Sequence, residues 1–140
     1  MVLKGIYLKI NNKNSMQILL KKISTVEKLQ KFLSKKYKKC IIFTIWHRIK
    51  KQLDLDHLEV DKNLRRKGYG TKFMLDICAY ADYYKLSVEL TPSPLGKETN
   101  KNRLVKFYRR FGFRFKKNSD YCMLRTPKTN KNEFLLTTMK

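Results

Sequence analysis

Hydrophobic positions along the chain change period several times, and each change marks an element. Val2, Ile6, Leu8 and Ile10 fall on one side of an extended run that Lys4 interrupts, which predicts a strand over residues 2–10. Residues 11–14 read as a turn, because asparagine tolerates left-handed backbone. Residues 16–23 predict a second strand, with a helix starting at Ser15 as the competing reading. Ser24, Thr25, Val26 and Glu27 match a capping box, and Val26, Leu29, Phe32 and Leu33 follow at helical spacing, so a helix runs to Tyr37. Residues 40–46 are nearly all apolar and β-branched or aromatic, the pattern of a strand buried on both faces. Residues 49–52 reverse the chain.

The next strand, residues 53–60, contains an irregularity. Leu53 and Leu55 share one face, but Leu58 and Val60 share the other if alternation is strict. One extra residue near Asp56 and His57, a β-bulge, returns all four to the same side. The competing reading is a strand that changes partners midway. Phe73, Met74, Ile77, Cys78, Ala81 and Tyr84 then form a helical stripe over residues 71–85. Residues 87–90 make a short strand, stopped by the prolines at 92 and 94. Strand, helix, strand at this spacing predicts a crossover joining parallel fourth and fifth strands. A polar loop over 95–101 leads to a second amphipathic helix, carried by Leu104, Val105, Phe107, Tyr108 and Phe111 and ended by Gly112. Residues 113–115 and 121–125 pair as a hairpin. The tail from 126 to 140 is polar, with Phe134, Leu135 and Leu136 as a candidate edge strand. The fold class is mixed α/β, in a single domain over 1–140 with no internal repeat or linker.

Composition narrows the function. The 33 Lys and Arg against 11 Asp and Glu give a net charge of +22, which favours acidic partners such as nucleotides or RNA, unless it is lysine bias alone. Cys40, Cys78 and Cys122 are odd in number, far apart and set in apolar runs, so they read as free thiols in a reducing compartment, with cytoplasmic location expected. His47 and His57 lack zinc spacing, so no metal is expected. No apolar run is long enough to span a membrane, and no membrane association is expected.

Chemistry concentrates in the turn after residue 60. Arg65, Arg66 and Lys67 precede Gly68, Tyr69 and Gly70, and the helix follows. Glycines at 68 and 70 allow positive φ and close approach, and the free amides of a helix start attract phosphate. Walker A spacing is absent, and the third small residue of a dinucleotide fingerprint is replaced by Phe73. The remaining pattern, R-x-x-G-x-G over residues 65–70, resembles the acetyl-CoA pyrophosphate loop of the GNAT N-acetyltransferase family. A glycine-softened turn decorated with solvated lysines is the plain alternative. The segment from Leu104 through Tyr108 to Gly112 and Phe113 is similar to the family's helix ending, and Glu89 lies on the intervening strand. With the bulge, these features stand in family order over residues 53–125. The family's asparagine position falls on Lys101, flanked by Asn100 and Asn102.

The resemblance implies a central mixed sheet whose fourth and fifth strands splay to bind acetyl-CoA. It implies direct attack of a primary amine on the thioester. Backbone amides from Arg66 to Thr71 would take the pyrophosphate, with Arg65, Arg66, Lys67, Gly68, Tyr69 and Gly70 building the loop and Asn102 near it. Leu58, Glu59 and Val60 would flank the pantetheine arm, and an amide freed by the bulge would donate to the oxyanion. Tyr108 would protonate the departing thiolate, its alternative being a core aromatic. Glu89 is the first candidate base and Asp54 the second, with Asp56 and Glu59 behind them; a carboxylate that balances local lysines is the alternative for each. The acceptor expected is a protein or peptide amine. The alternatives are aminoacyl-tRNA, which the basic charge favours, and a non-catalytic CoA- or RNA-binding module.

Overall fold

The computed structural model describes residues 13–49, 51–93 and 100–128. The expected strand over 2–10, most of the 95–101 loop and the 134–136 edge strand lie outside them. Helices α1 (Lys13–Lys22) and α2 (Val26–Lys36) come first. Strands β1 (Ile41–Ile49) and β2 (Gln52–Val60) follow, then a single 3-10 turn over Lys62–Leu64. Helix α3 (Tyr69–Tyr83), strand β3 (Ser87–Leu90), helix α4 (Lys101–Arg109) and strands β4 (Arg114–Phe115) and β5 (Met123–Arg125) complete the order.

The region expected to be a second strand is helix α1. The apolar run 16–20 satisfies either period, and tertiary contact decides. Leu20 is fully buried with Ala79 while Ile18 is exposed, and the Tyr84 hydroxyl donates to the Leu20 carbonyl at 2.5 Å. Helix α2 starts one residue later than the capping box implies. Thr25 is the cap, its hydroxyl accepting from the Lys28 amide at 3.1 Å, and Glu27 falls inside the first turn.

The sheet order is β1-β2-β3-β5-β4. Strand β2 runs antiparallel to β1 and parallel to β3, so α3 is the crossover between parallel neighbours. Strand β5 pairs antiparallel with both β3 and β4, the second pairing being the expected hairpin. Ile41, Ile45, Leu53, Leu55, Val88, Leu90 and Met123 project from one face into a single core with Leu33, Tyr37, Phe73, Met74, Ile77, Tyr108 and Phe113. Burying that apolar surface is the main force closing the helices on the sheet. A buried ion pair joins α2 to α3: Asp76, wholly buried, accepts from the Tyr37 hydroxyl at 2.6 Å and from Lys36 Nζ at 2.7 Å. Burial lowers the Lys36 pKa, and the charge and hydrogen bond of Asp76 oppose it.

The other face of the sheet departs from expectation. Strand β1 is not buried on both sides, since Ile42 is 65% and Trp46 56% exposed. Along one cross-strand row this face carries Trp46, Asp54, Glu89 and Leu124.

Candidate active site

The site begins where β2 loses a neighbour. Pairing between β2 and β3 runs from Gln52↔Ser87 to Leu55↔Leu90 and stops there. On the opposite edge, β1 pairs Ile45 with Leu55 and Thr44 with His57, leaving Asp56 without a partner. This is the bulge expected from the phase slip. Leu53, Leu55, Leu58 and Val60 all pack on the same core in consequence. Past the bulge β2 diverges from β3, and a slot of about 50 Å³ opens between Leu55, Asp56, His57 and Leu58 on one wall and Leu90, Thr91 and Ser93 on the other. Tyr108 of α4 lines it too.

Helix α4 is set by Asn100, whose Oδ1 caps the Arg103 amide at 2.9 Å. Its inner face packs Phe107, Tyr108 and Phe111 against one another and against Phe113. Tyr108 is 7% exposed, and burial pushes its phenol up to about 12. The hydroxyl therefore keeps its proton at neutral pH.

At the far end of β2 the chain makes the glycine turn. Gly68 has φ +85° and caps α3, while Gly70 is helical, so only one of the two glycines uses left-handed backbone. Arg66 also adopts positive φ, at 65°. A Cβ on Gly70 would meet Phe107 Cζ at 3.5 Å and Val60 Cγ2 at 3.6 Å, ordinary contacts. Gly70 thus sits between the end of β2 and α4, in line with the slot. The first amides of α3 face outward with the positive end of the helix behind them. Arg66 and Lys67 are exposed beside them. Arg65 instead folds back on β2: its Nε donates to the Val60 carbonyl at 3.1 Å, and its Nη2 lies 3.9 Å from Glu59. That carbonyl already has a partner.

The two carboxylates expected as bases are neighbours in the parallel register, Asp54 beside Glu89, on the face opposite Tyr108. Arg48 bridges them, 3.4 Å from Asp54 and 3.3 Å from Glu89. Lys116 from the hairpin donates to Glu89 at 2.8 Å. The Lys116 hydrogen bond holds the Glu89 carboxyl below its ordinary value, with Cys122 and Arg48 assisting and partial burial opposing. Gln52 donates to Asp54 at 3.0 Å. This five-residue network was not legible in the sequence, because it depends on register and on where the hairpin returns. His57, Thr91 and Ser93 were also missed, although the bulge itself pointed at His57.

Asn102 is exposed on the outer face of α4. There it lines a groove of about 500 Å³ with Lys101, Val105, Lys106, Arg109, Phe115 and Asp120. Lys101, at the family's asparagine position, donates to the Asp120 carbonyl at 2.6 Å. Among the described residues, no helix is long and apolar enough to cross a membrane.

Comparison with known proteins identifies the family and the fold. A family model described as an acetyltransferase (GNAT) domain matches residues 31–115. Ard1 from Thermoplasma volcanium is similar in structure, with a TM-score of 0.52 at 18% identity, over 74% of this chain and 81% of that one. The anti-CRISPR protein AcrVA5 gives a TM-score of 0.51 at 18% identity, over 61% of this chain and 87% of its own. A putative GNAT-family acetyltransferase from Bacteroides thetaiotaomicron gives 0.47 at 21% identity, over 64% and 56%. At such identities the likeness is one of fold. No curated protein matches the chain.

Proposed function

The chain belongs to the GNAT family of acetyltransferases, and we propose that it moves an acetyl group from acetyl-CoA to a primary amine of a protein or peptide. The observation that carries this reading is the splay of β2 from β3 at Asp56, flanked by Tyr108 at one end and the glycine turn at the other.

In this reading the pyrophosphate rests on the amides from Arg66 to Thr71, with charge from Arg66 and Lys67 and a smaller share from Arg65. The pantetheine arm lies along Leu58, Glu59 and Val60, whereas Asn102 lines the separate groove on α4. Once bound, acetyl-CoA supplies an activated thioester. The chain supplies an oxyanion donor from the amides freed at the bulge, which contributes about 3 kcal/mol. Tyr108 gives its proton to the departing thiolate. The same burial that raises the phenol also raises the proton affinity of a thiolate in that slot, so burial does not by itself oppose the transfer. Asp54 and Glu89 present carboxylates on the open face and attract the incoming ammonium, releasing Arg48 as it arrives. We take residues 1–140 as one domain. Three free thiols suit a reducing compartment such as the cytoplasm.

A second acceptor reading, the amino acid on an aminoacyl-tRNA, is favoured by the groove on α4, whose rim carries Lys101, Lys106 and Arg109. Treating a lysate with labelled acetyl-CoA and the protein, with and without RNase, tests both. Label retained on protein after RNase supports the peptide acceptor, and label lost with RNase supports the tRNA. No label in either arm contradicts acetyl transfer.

A further inference from the structure

The acetyl-transfer reading leaves open which group takes the proton from the acceptor ammonium. We propose that His57 is that group. The inference rests on acetyl transfer as the reaction, but not on any one acceptor.

The carboxylates on the open face are poorly suited to the task. Glu89 is held by Lys116 at 2.8 Å and Arg48 at 3.3 Å, and Asp54 by Arg48 at 3.4 Å and Gln52 at 3.0 Å. The Lys116 hydrogen bond lowers the Glu89 pKa and makes that carboxylate a weak proton acceptor, while the oxygens of Asp54 are engaged by Arg48 and Gln52. His57 differs in place and in chemistry. The unpartnered Asp56 precedes it, and His57 lines the slot that Tyr108 also lines. Its Nε2 lies 3.5 Å from Glu59 Oε2, and Arg65 reaches the other oxygen of Glu59 at 3.9 Å. That contact places one ring nitrogen beside a carboxylate. The side chain is 38% exposed, enough to pass a proton on to water. The charged and titratable groups around it are Asp56 and Glu59 on its own strand, Arg65 beyond the strand, and Tyr108 from α4. Its cross-strand neighbour on β1, Thr44, carries no charge. A neutral imidazole is the side chain best matched to accepting a proton near neutral pH.

The protons balance as follows. His57 takes one from the ammonium and later returns it to water. The neutral amine then bonds to the thioester carbon, and the C=O pair moves to oxygen. The carbon–sulfur bond breaks as that pair returns. Sulfur takes a proton from Tyr108, and the second proton on the new amide nitrogen restores the phenol through solvent. The net release is one proton.

The test uses two small nucleophiles that need no acceptor pocket, with CoA release followed by chromatography at pH 7. n-Propylamine is an ammonium at that pH and needs a base, whereas hydroxylamine is neutral and needs none. The His57→Gln variant should transfer acetyl to propylamine roughly 10²-fold more slowly than the native protein. Its rate with hydroxylamine should stay near native, and its acetyl-CoA affinity should be unchanged. His57→Asn takes its place if the glutamine variant loses acetyl-CoA binding. Equal losses with both nucleophiles, or no loss with propylamine, overturn the assignment while acetyl transfer stands. Native protein that reacts with hydroxylamine but not propylamine also overturns it. Native protein inert toward both removes the acetyl-transfer reading itself, and this inference with it.

Discussion

The two halves of β2 make opposite commitments. Residues 52–55 have strand neighbours on both sides, with Leu53 1% and Leu55 4% exposed, and their backbone holds the sheet. Residues 57–60 keep β1 and give up β3, so their outer backbone edge is left to whatever enters the slot. One unpaired residue, Asp56, separates the two regimes. A bulge usually costs ladder hydrogen bonds, and here the unpaired residue marks where β2 leaves β3 and the slot begins. In the proposed reading, stability sits in the first half and the chemistry draws on the second.

The largest effect should come from the far end of the open half. Gly70→Asp sets a carboxylate where the pyrophosphate would rest, and like charges so placed cost several kcal/mol, so acetyl-CoA should bind about 10²-fold more weakly or worse by calorimetry. Gly70→Ala keeps the fold, because its methyl meets Phe107 and Val60 at ordinary distance. Gly68→Ala should do the reverse. Its φ of +85° makes any side chain strained, at about 1 kcal/mol of folding stability, although nothing lies within 4 Å of the new atom. Thermal melts alongside calorimetry separate the two glycines. Unchanged acetyl-CoA affinity in folded Gly70→Asp would remove the turn from the site.

Tyr108→Phe comes next. The ring contacts with Phe107 and Phe113 survive, so the melting temperature should barely move while kcat falls roughly 10²-fold. An equally active phenylalanine variant would make Tyr108 a core aromatic only.

The smallest effect belongs to the closed half. The folded-state pKa of Glu89 lies below its unfolded value of about 4.3. Its contribution to stability is therefore present above that pH and fades as pH falls through the lower folded value. Glu89→Gln should melt slightly below the native protein at pH 7, with the gap closing under acid. A gap that persists at low pH would trace the effect to packing rather than to charge.

The halves of the chain also differ in how legible they are. Among the described residues from Leu53 to Arg125, local pattern and outcome agree, because alternation, helical stripes and proline stops each admit one period there. The phase slip between Leu55 and Leu58 is visible only because leucines and valine mark both sides of it. Helix α1 was less legible. Met16, Ile18, Leu19 and Leu20 fit a strand or a helix, and contacts with Ala79 and Tyr84, some sixty residues away, settle it. The uniform apolar run of β1 hides its exposed face, since Ile42 and Trp46 look no different in sequence from the buried Ile41 and Ile45. The inner-face position of Tyr108 was readable from the helical stripe and the turn from its glycines, whereas the roles expected of them rest on the family resemblance. The Arg48 bridge and the lining role of His57 were not, because both arise from register.

The measurement closest to the central claim is to delete Asp56. Without it, Leu53, Leu55, Leu58 and Val60 alternate strictly and all face the core, so β2 can pair regularly along β1 and the fold should persist by circular dichroism and thermal melting. The amide freed at the bulge would be returned to the ladder. If that amide stabilises the oxyanion, kcat for acetyl transfer to hydroxylamine should fall about 10²- to 10³-fold. Acetyl-CoA should still bind at the glycine turn. A folded deletion variant with native kcat would contradict the account, because the amide freed at the bulge would then contribute nothing to the reaction.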